Sequence, residues 1–211
     1  MSQMLNLAVL LSGSGRTLDN LQQAIDEGRL SARIVVVVSS KSDAYGLVRA
    51  QRHGLDAVAI PRKEYSSLET FNAAMNAVLA RYRIDLVVLA GFLSLYRPPP
   101  ALEEKVMNIH PALLPAFGGK GLYGERVHRA VLEAGVKVSG CTVHFADAHY
   151  DQGPIILQKA VPVKDDDTSE TLAARVFAAE CELYPQAIQL FAENRLQVEG
   201  RHVHILPPKS A

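Results

Sequence analysis

The sequence predicts an α/β protein: a single domain whose sheet is parallel in the N-terminal half and becomes mixed in the C-terminal half, with helices on both faces. Three observations carry this. Short apolar runs alternate with segments of helical period from Leu5 to Phe92, the rhythm of strand–helix–strand units. Those runs are almost continuously apolar rather than alternating, as strands covered on both faces are. After Glu133 the rhythm breaks into two strands that follow one another directly, which requires an antiparallel pair.

Leu5 to Leu11 forms the first strand and runs into Ser12-Gly13-Ser14-Gly15-Arg16-Thr17. Leu18, Leu21, Ile25 and Leu30 then carry helical spacing. A strand, a glycine turn and a helix start bring backbone N–H groups and the positive end of a helix around an anion. This is half of a dinucleotide fingerprint: Leu18 stands where a third small residue belongs, and Ser39-Ser40-Lys41 closes the next strand without an acid for a ribose. The loop therefore reads as a cradle for a single phosphate, with Arg16 as an added charge, or as a plain tight turn.

Ile34 to Val38 is the second strand, Tyr45 to His53 a helix closed by Gly54, and Ala57 to Ile60 a third strand stopped by Pro61. Ser66 or Ser67 caps a helix to about Tyr82 with Leu68, Phe71, Met75 and Leu79 as its apolar stripe. Asp85 to Phe92 is the fourth strand, and Leu102 to Lys105 at most a short helix. The next strand runs from Val106 and ends on Asn108-Ile109-His110-Pro111, because Pro111 has no N–H to give a ladder.

Four glycines fall between Ala116 and Gly124, making the Gly118 to Tyr123 stretch a lid or a close backbone approach. A helix from Glu125 to about Glu133 follows. Val138 to Phe145 and Gly153 to Val161 are the hairpin strands, Thr168 caps a long amphipathic helix from Leu172 to Phe191, and Leu196 to Ile205 is a terminal hairpin or edge pair before a tail through Ala211. The halves divide near Lys105: residues 1–105 for nucleotide and phosphate, residues 106–211 for catalysis and the second ligand.

Composition narrows the function. The chain has 211 residues, 48% hydrophobic and 21% charged, and a formal net charge of +0. No basic run supplies phosphate affinity for nucleic acid. No apolar run reaches the roughly 20 residues of a membrane span. Cys141 and Cys181 lie far apart and in no metal spacing, so they are expected to be reduced and the compartment cytoplasmic.

Asn108 and His110, two apart on a strand, project to the same side. An amide can donate to a developing oxyanion and an imidazole can move a proton, which suits acyl transfer. Taken alone, the pair reads first as strand-end structural residues. Asp151, on the hairpin tip, is the third candidate. A carboxylate beside His110 is expected to favour the imidazolium and raise its pKa.

Together, Asn108-Ile109-His110-Pro111 and Asp151-Gln152-Gly153-Pro154 resemble motifs of the 10-formyltetrahydrofolate-dependent formyltransferase superfamily, the likeness running from about Leu5 to Pro185. It is nearest to the branch that acts on glycinamide ribonucleotide in purine biosynthesis. The resemblance implies a Rossmann-like formyltransferase fold and transfer of a formyl group from 10-formyltetrahydrofolate, as cosubstrate, to the ribonucleotide amine. Asn108 would hold the formyl oxygen, His110 the proton, and Asp151 the protonated state of His110 and a water. Gly13, Gly15, Arg16 and Thr17 would take the ribonucleotide phosphate, with Pro111 and Glu180 further contacts. Leu93, Ser94, Leu95 and Tyr96 with Asp147, Ala148, His149, Tyr150 and Asp151 would clasp the pteridine by main-chain groups, Asn108 touching it too. His144 would stand behind the catalytic residues, and Leu114-Pro115 matches a cis bond.

The resemblance also implies small-molecule substrates, no metal, no nucleic acid, no membrane, and a monomer or homodimer. Arg16 and Thr17 replace a usual Ser-Asn pair, and Leu68 and Ser94 stand where arginines are common, which bears on the folate tail. A formyltetrahydrofolate hydrolase is expected to carry a domain ahead of this one, and a methionyl-tRNA formyltransferase a basic domain after it. A flavodoxin-like binding module would leave Asn108, His110 and Asp151 without a purpose.

Overall fold

The computed structural model describes residues 4–208 and divides into two compact units, one up to Met107 and one from Asn108 onward. Residues 1–3, and the end of the expected tail from Lys209, lie outside the described residues.

In the first unit, β1 (Leu5–Leu11), β2 (Ala32–Ser39), β3 (Ala57–Ala59) and β4 (Leu86–Leu89) lie in the order β3-β2-β1-β4, every pair parallel. All seven residues of β1 are buried, which is why its sequence shows no polar alternation. Between the strands come α1 (Arg16–Asp26), α2 (Tyr45–Arg52) and α3 (Leu68–Leu79). Of the two serines before α3, Ser67 is the cap: its hydroxyl accepts from Thr70 N–H and Thr70 reaches back to its backbone N–H. Phe71, Met75 and Leu79 are buried on that helix, while Leu68, the first residue of the expected stripe, is only half-buried.

In the second unit the order is β5-β6-β7-β9-β8, with β5 (Val106–His110, its first two residues closing the first unit), β6 (Val138–Phe145), β7 (Ile155–Pro162), β8 (Leu196–Glu199) and β9 (His202–Ile205). β6 and β7 are antiparallel, β7 and β9 parallel, and β8 and β9 an antiparallel hairpin, so this part is mixed as expected. Of its helices, α4 (Glu125–Glu133) packs on α5 (Ser169–Ala192), which also covers β6 and β7. Thr168 caps α5 through a reciprocal bond with Thr171, an arrangement that contributes about 1 kcal/mol. Asp167 joins Lys164 N–H, Thr171 and Arg175 around the same helix start.

Four expectations are corrected. Leu30 is buried but lies beyond α1, which ends before Gly28 (φ 70°). In place of the short helix allowed at Leu102 to Lys105 there is a single 3-10 turn earlier in the chain, at Pro100–Leu102, started by proline where no N–H is needed. β4 stops at Leu89, short of Phe92, because Gly91 turns the chain at φ 71°. β7 begins two residues later than Gly153, since Pro154 has no N–H for the ladder.

Candidate active site

β5 delivers Asn108 and His110 to one place, and the turn after it is anchored from β6 and β7. Thr142, fully buried, accepts the Leu114 N–H (3.0 Å) and donates to the Ala112 carbonyl (2.7 Å). Gln158 donates to the Leu114 carbonyl (2.9 Å) and to Thr142 (3.0 Å). These four bonds pair the Ala112 and Leu114 carbonyls and the Leu114 N–H, so the turn that stops β5 is held with these main-chain groups satisfied. The Leu114-Pro115 peptide is cis, as the resemblance implied.

Asp151 reaches this strand end from the loop between β6 and β7, with φ 57°, a left-handed conformation that a carboxylate residue tolerates better than most. Its Oδ2 accepts the Gly119 N–H (2.9 Å) and lies 3.5 Å from His110 Nδ1. Its Oδ1 lies 3.4 Å from Asn108 Nδ2 and 3.7 Å from His144 Nε2. The side chains of His110 and Asp151 are 5% and 11% exposed, so their interaction is little screened by water.

Hydrogen-bond partners fix the protons. The carbonyl of Phe117 can only accept, so His110 Nε2, 2.8 Å away, carries a hydrogen and Nδ1 is the nitrogen that faces Asp151. In the same way the Phe145 carbonyl, 2.8 Å from His144 Nδ1, puts a hydrogen there and leaves His144 Nε2 to accept from Asn108 Nδ2 at 3.0 Å. His144 thereby sets the rotation of the Asn108 amide.

Burial lowers the His110 pKa and outweighs the Asp151 charge and the Phe117 carbonyl, which push it up; His144 lowers it further. This corrects the expectation that Asp151 leaves His110 a standing acid. For Asp151, burial is the largest influence and pushes the pKa up, but the neighbouring His144 side chain, the charge of His110 and the Gly119 N–H together bring it below its ordinary value. At neutral pH the pair is thus a carboxylate and a neutral imidazole whose Nδ1 is ready to take a proton.

Linkage gives a test. Between the folded pKa of His110 and about 6.5 the unfolded chain binds the extra proton, so stability falls as pH falls through that window and is flat above it. The lowered Asp151 pKa acts in the same direction at lower pH, its stabilisation being lost as pH falls through the folded value. Urea midpoints measured from pH 7.5 to 5.5 are expected to decline, and to decline less for His110→Asn; equal slopes would refute the assignment.

Other sequence candidates sit elsewhere. In the first unit, Gly15 (φ 77°) starts α1, and no side chain caps that helix. A Cβ on Gly15 would lie 2.6 Å from Gly46 Cα on α2, so only glycine allows the approach. Gly13 and Arg16 are exposed and Thr17 half-buried. Leu93, Ser94, Leu95 and Tyr96 follow Gly91 as a loop. In the second unit, Asp147 accepts the His149 N–H (2.8 Å) in the tip that also carries Ala148 and Tyr150. Pro111 follows β5, and Glu180 lies half-buried on α5. His128 on α4 is buried, and its pKa is lowered by burial and then by the charge of His110.

Several contributors carried no signal in the sequence. The Phe117 carbonyl and Gly119 N–H are main-chain groups, available only because Phe117 takes φ 54° and the glycine loop folds back on the site. Arg49 of α2 holds the Ser14 carbonyl (2.9 Å), and the Ser12 hydroxyl takes the Leu93 N–H (2.9 Å) while bonded to Ser40 (2.6 Å). Asn72 had one available clue, an amide on a buried helix face.

Residues 5–188 match the family model described as formyl transferase. The chain is 36% identical over 204 residues to phosphoribosylglycinamide formyltransferase of Haemophilus influenzae, covering 96% of this chain and 94% of that one. It is 44% identical over 194 residues to the trifunctional purine biosynthetic protein adenosine-3 of Gallus gallus, covering 91% of this chain but only 19% of that protein's length. The structure of glycinamide ribonucleotide transformylase 1 from Symbiobacterium toebii matches with a TM-score of 0.90 at 49% identity, covering 97% of this chain and 95% of that one.

Proposed function

Since the chain belongs to the formyl transferase family, we propose that it transfers a formyl group from 10-formyltetrahydrofolate to the amine of glycinamide ribonucleotide, a step of purine biosynthesis. The observation that carries the reading is the cluster at the end of β5: an amide and an imidazole, each within 3.5 Å of the Asp151 carboxylate, with His144 bonded to the amide.

The chemistry follows from that cluster. The ribonucleotide amine attacks the formyl carbon, and the carbonyl electron pair moves to oxygen. His110 Nδ1 takes the proton the amine sheds, and the imidazolium so formed lies beside the Asp151 carboxylate, which stabilises it. Asn108 Nδ2 holds one hydrogen on His144 and shares the other with Asp151 at 3.4 Å, a long contact; redirected to the formyl oxygen, that second hydrogen stabilises the oxyanion. On collapse the bond from carbon to N10 breaks, the imidazolium returns its proton to N10, and tetrahydrofolate leaves. No covalent enzyme intermediate is needed.

Gly13, Gly15, Arg16 and Thr17 are proposed to bind the ribonucleotide phosphate, with Pro111 and Glu180 as further contacts. The uncapped start of α1 supports the first assignment. The folate ring is assigned to Leu93–Tyr96, Asn108 and Asp147–Asp151. The same reading places the protein in the cytoplasm, a compartment that keeps thiols such as those of Cys141 and Cys181 reduced. Among the described residues no helix is long and apolar enough to cross a membrane.

The test is a spectrophotometric assay of tetrahydrofolate formation with and without glycinamide ribonucleotide. Product only in its presence is the expected result. Release without the ribonucleotide would mark a hydrolase instead, and no release in either case would overturn the reading.

A further inference from the structure

The loop after β4 is held by side chains from the same unit. Asn72 on α3 donates from Nδ2 to the carbonyls of Leu95 (3.1 Å) and Leu68 (2.9 Å), and its Oδ1 accepts the Arg97 N–H (2.7 Å). One turn further along α3, Asn76 accepts the Tyr96 hydroxyl (2.8 Å) and donates to the Arg97 carbonyl (3.2 Å). Asn72 is 4% exposed, beside Phe71 and Met75, where an apolar residue would favour the helix more and bury no polar group. All its bonds go to backbone groups, two of them in the loop. Tyr96 is 3% exposed with its hydroxyl on Asn76, so its phenol anchors the loop and leaves main-chain groups to meet a ligand.

We propose that Asn72 is a positioning residue for the formyl donor, fixing the main-chain path from Leu93 to Arg97 on which the folate ring lies. Asn76 secures the far end of the same path. The inference rests on the assignment of this loop to the folate made above. It goes beyond that assignment by locating donor affinity in a helix residue that need not touch the donor.

Asn72→Asp preserves size and the acceptor for Arg97, but turns a carboxylate oxygen towards the carbonyls of Leu68 and Leu95. It is expected to raise the KM for 10-formyltetrahydrofolate about tenfold, and Asn76→Ala about threefold, while kcat and the ribonucleotide KM stay within about twofold of wild type. A merely structural residue would instead lower the active fraction and leave both KM values alone. A cooperatively melting Asn72→Asp with unchanged donor KM overturns the proposal, as does a loss confined to kcat. Should Asn72→Asp fail to fold, Asn76→Ala decides by the same criterion. Calorimetric titration of the wild-type protein with tetrahydrofolate separates the two levels. Folate binding without formyl transfer overturns the functional reading, and an Asn76→Ala variant with undiminished folate affinity overturns only this inference.

Discussion

Asp151→Asn is expected to lower kcat about a thousandfold while leaving the fold intact, the range lost when a general acid–base arrangement is broken. The fold survives because asparagine tolerates the φ of 57° at this position at least as well as aspartate, and its amide oxygen can still accept the Gly119 N–H. What goes is the charge. His110 is already lowered by burial, and the carboxylate is the chief influence in the other direction, so without it the imidazolium formed during transfer has no counter-charge. Steady-state kinetics alongside a thermal melt make the check. A variant with a wild-type melt and near-normal kcat would refute the mechanism.

Gly153→Ala is expected to destabilise the protein by about 3–5 kcal/mol, and the Tm by roughly 10 °C. A Cβ at this position would lie 1.8 Å from the Phe145 carbonyl oxygen and 2.9 Å from its carbon, both backbone atoms, so the chain itself must move. Phe145 N–H donates to the Pro154 carbonyl (2.9 Å) at the same point, and that bond closes the loop that presents Asp151 two residues away. Activity is therefore expected to fall with stability. Gly13→Ala is the control for stability, since a Cβ there meets nothing within 4 Å. Equal melting temperatures for the two variants would show that the hairpin tip yields more easily than its packing implies.

How far these features could be read from the sequence depends on whether their cause is local. β1, β5 and α4 run between the expected residues because a covered apolar run, a proline stop and a glycine at each end are all local signals. Leu30 shows the opposite case: helical spacing continued past the true end of α1, and only the turn at Gly28 stops it. At the site, Asn108, His110 and Asp151 were legible as residue types whose chemistry belongs together. The sign of the His110 shift was not, because it is the difference between burial and a neighbouring charge, and burial depends on the folded neighbours. Phe117 and Gly119 act through the main chain, to which their side-chain identities are no guide.

Two of the outer strands, β3 in the first unit and β8 in the second, bear on behaviour at high concentration. β3 has three residues and β8 four, in the sequence Leu-Gln-Val-Glu, and β8 forms a closed hairpin with β9. Unpaired strand rims invite other chains to add on, a route to ordered aggregation, and brevity and charge are the usual defences. A three-residue rim offers too few backbone groups to seed a foreign strand, and Glu199 puts a carboxylate at the end of the other. Meanwhile the long apolar strands that would be hazardous if uncovered, β1 and β2, each have a neighbour on either side. The first unit thus keeps β1 and β2, its longest apolar strands, internal.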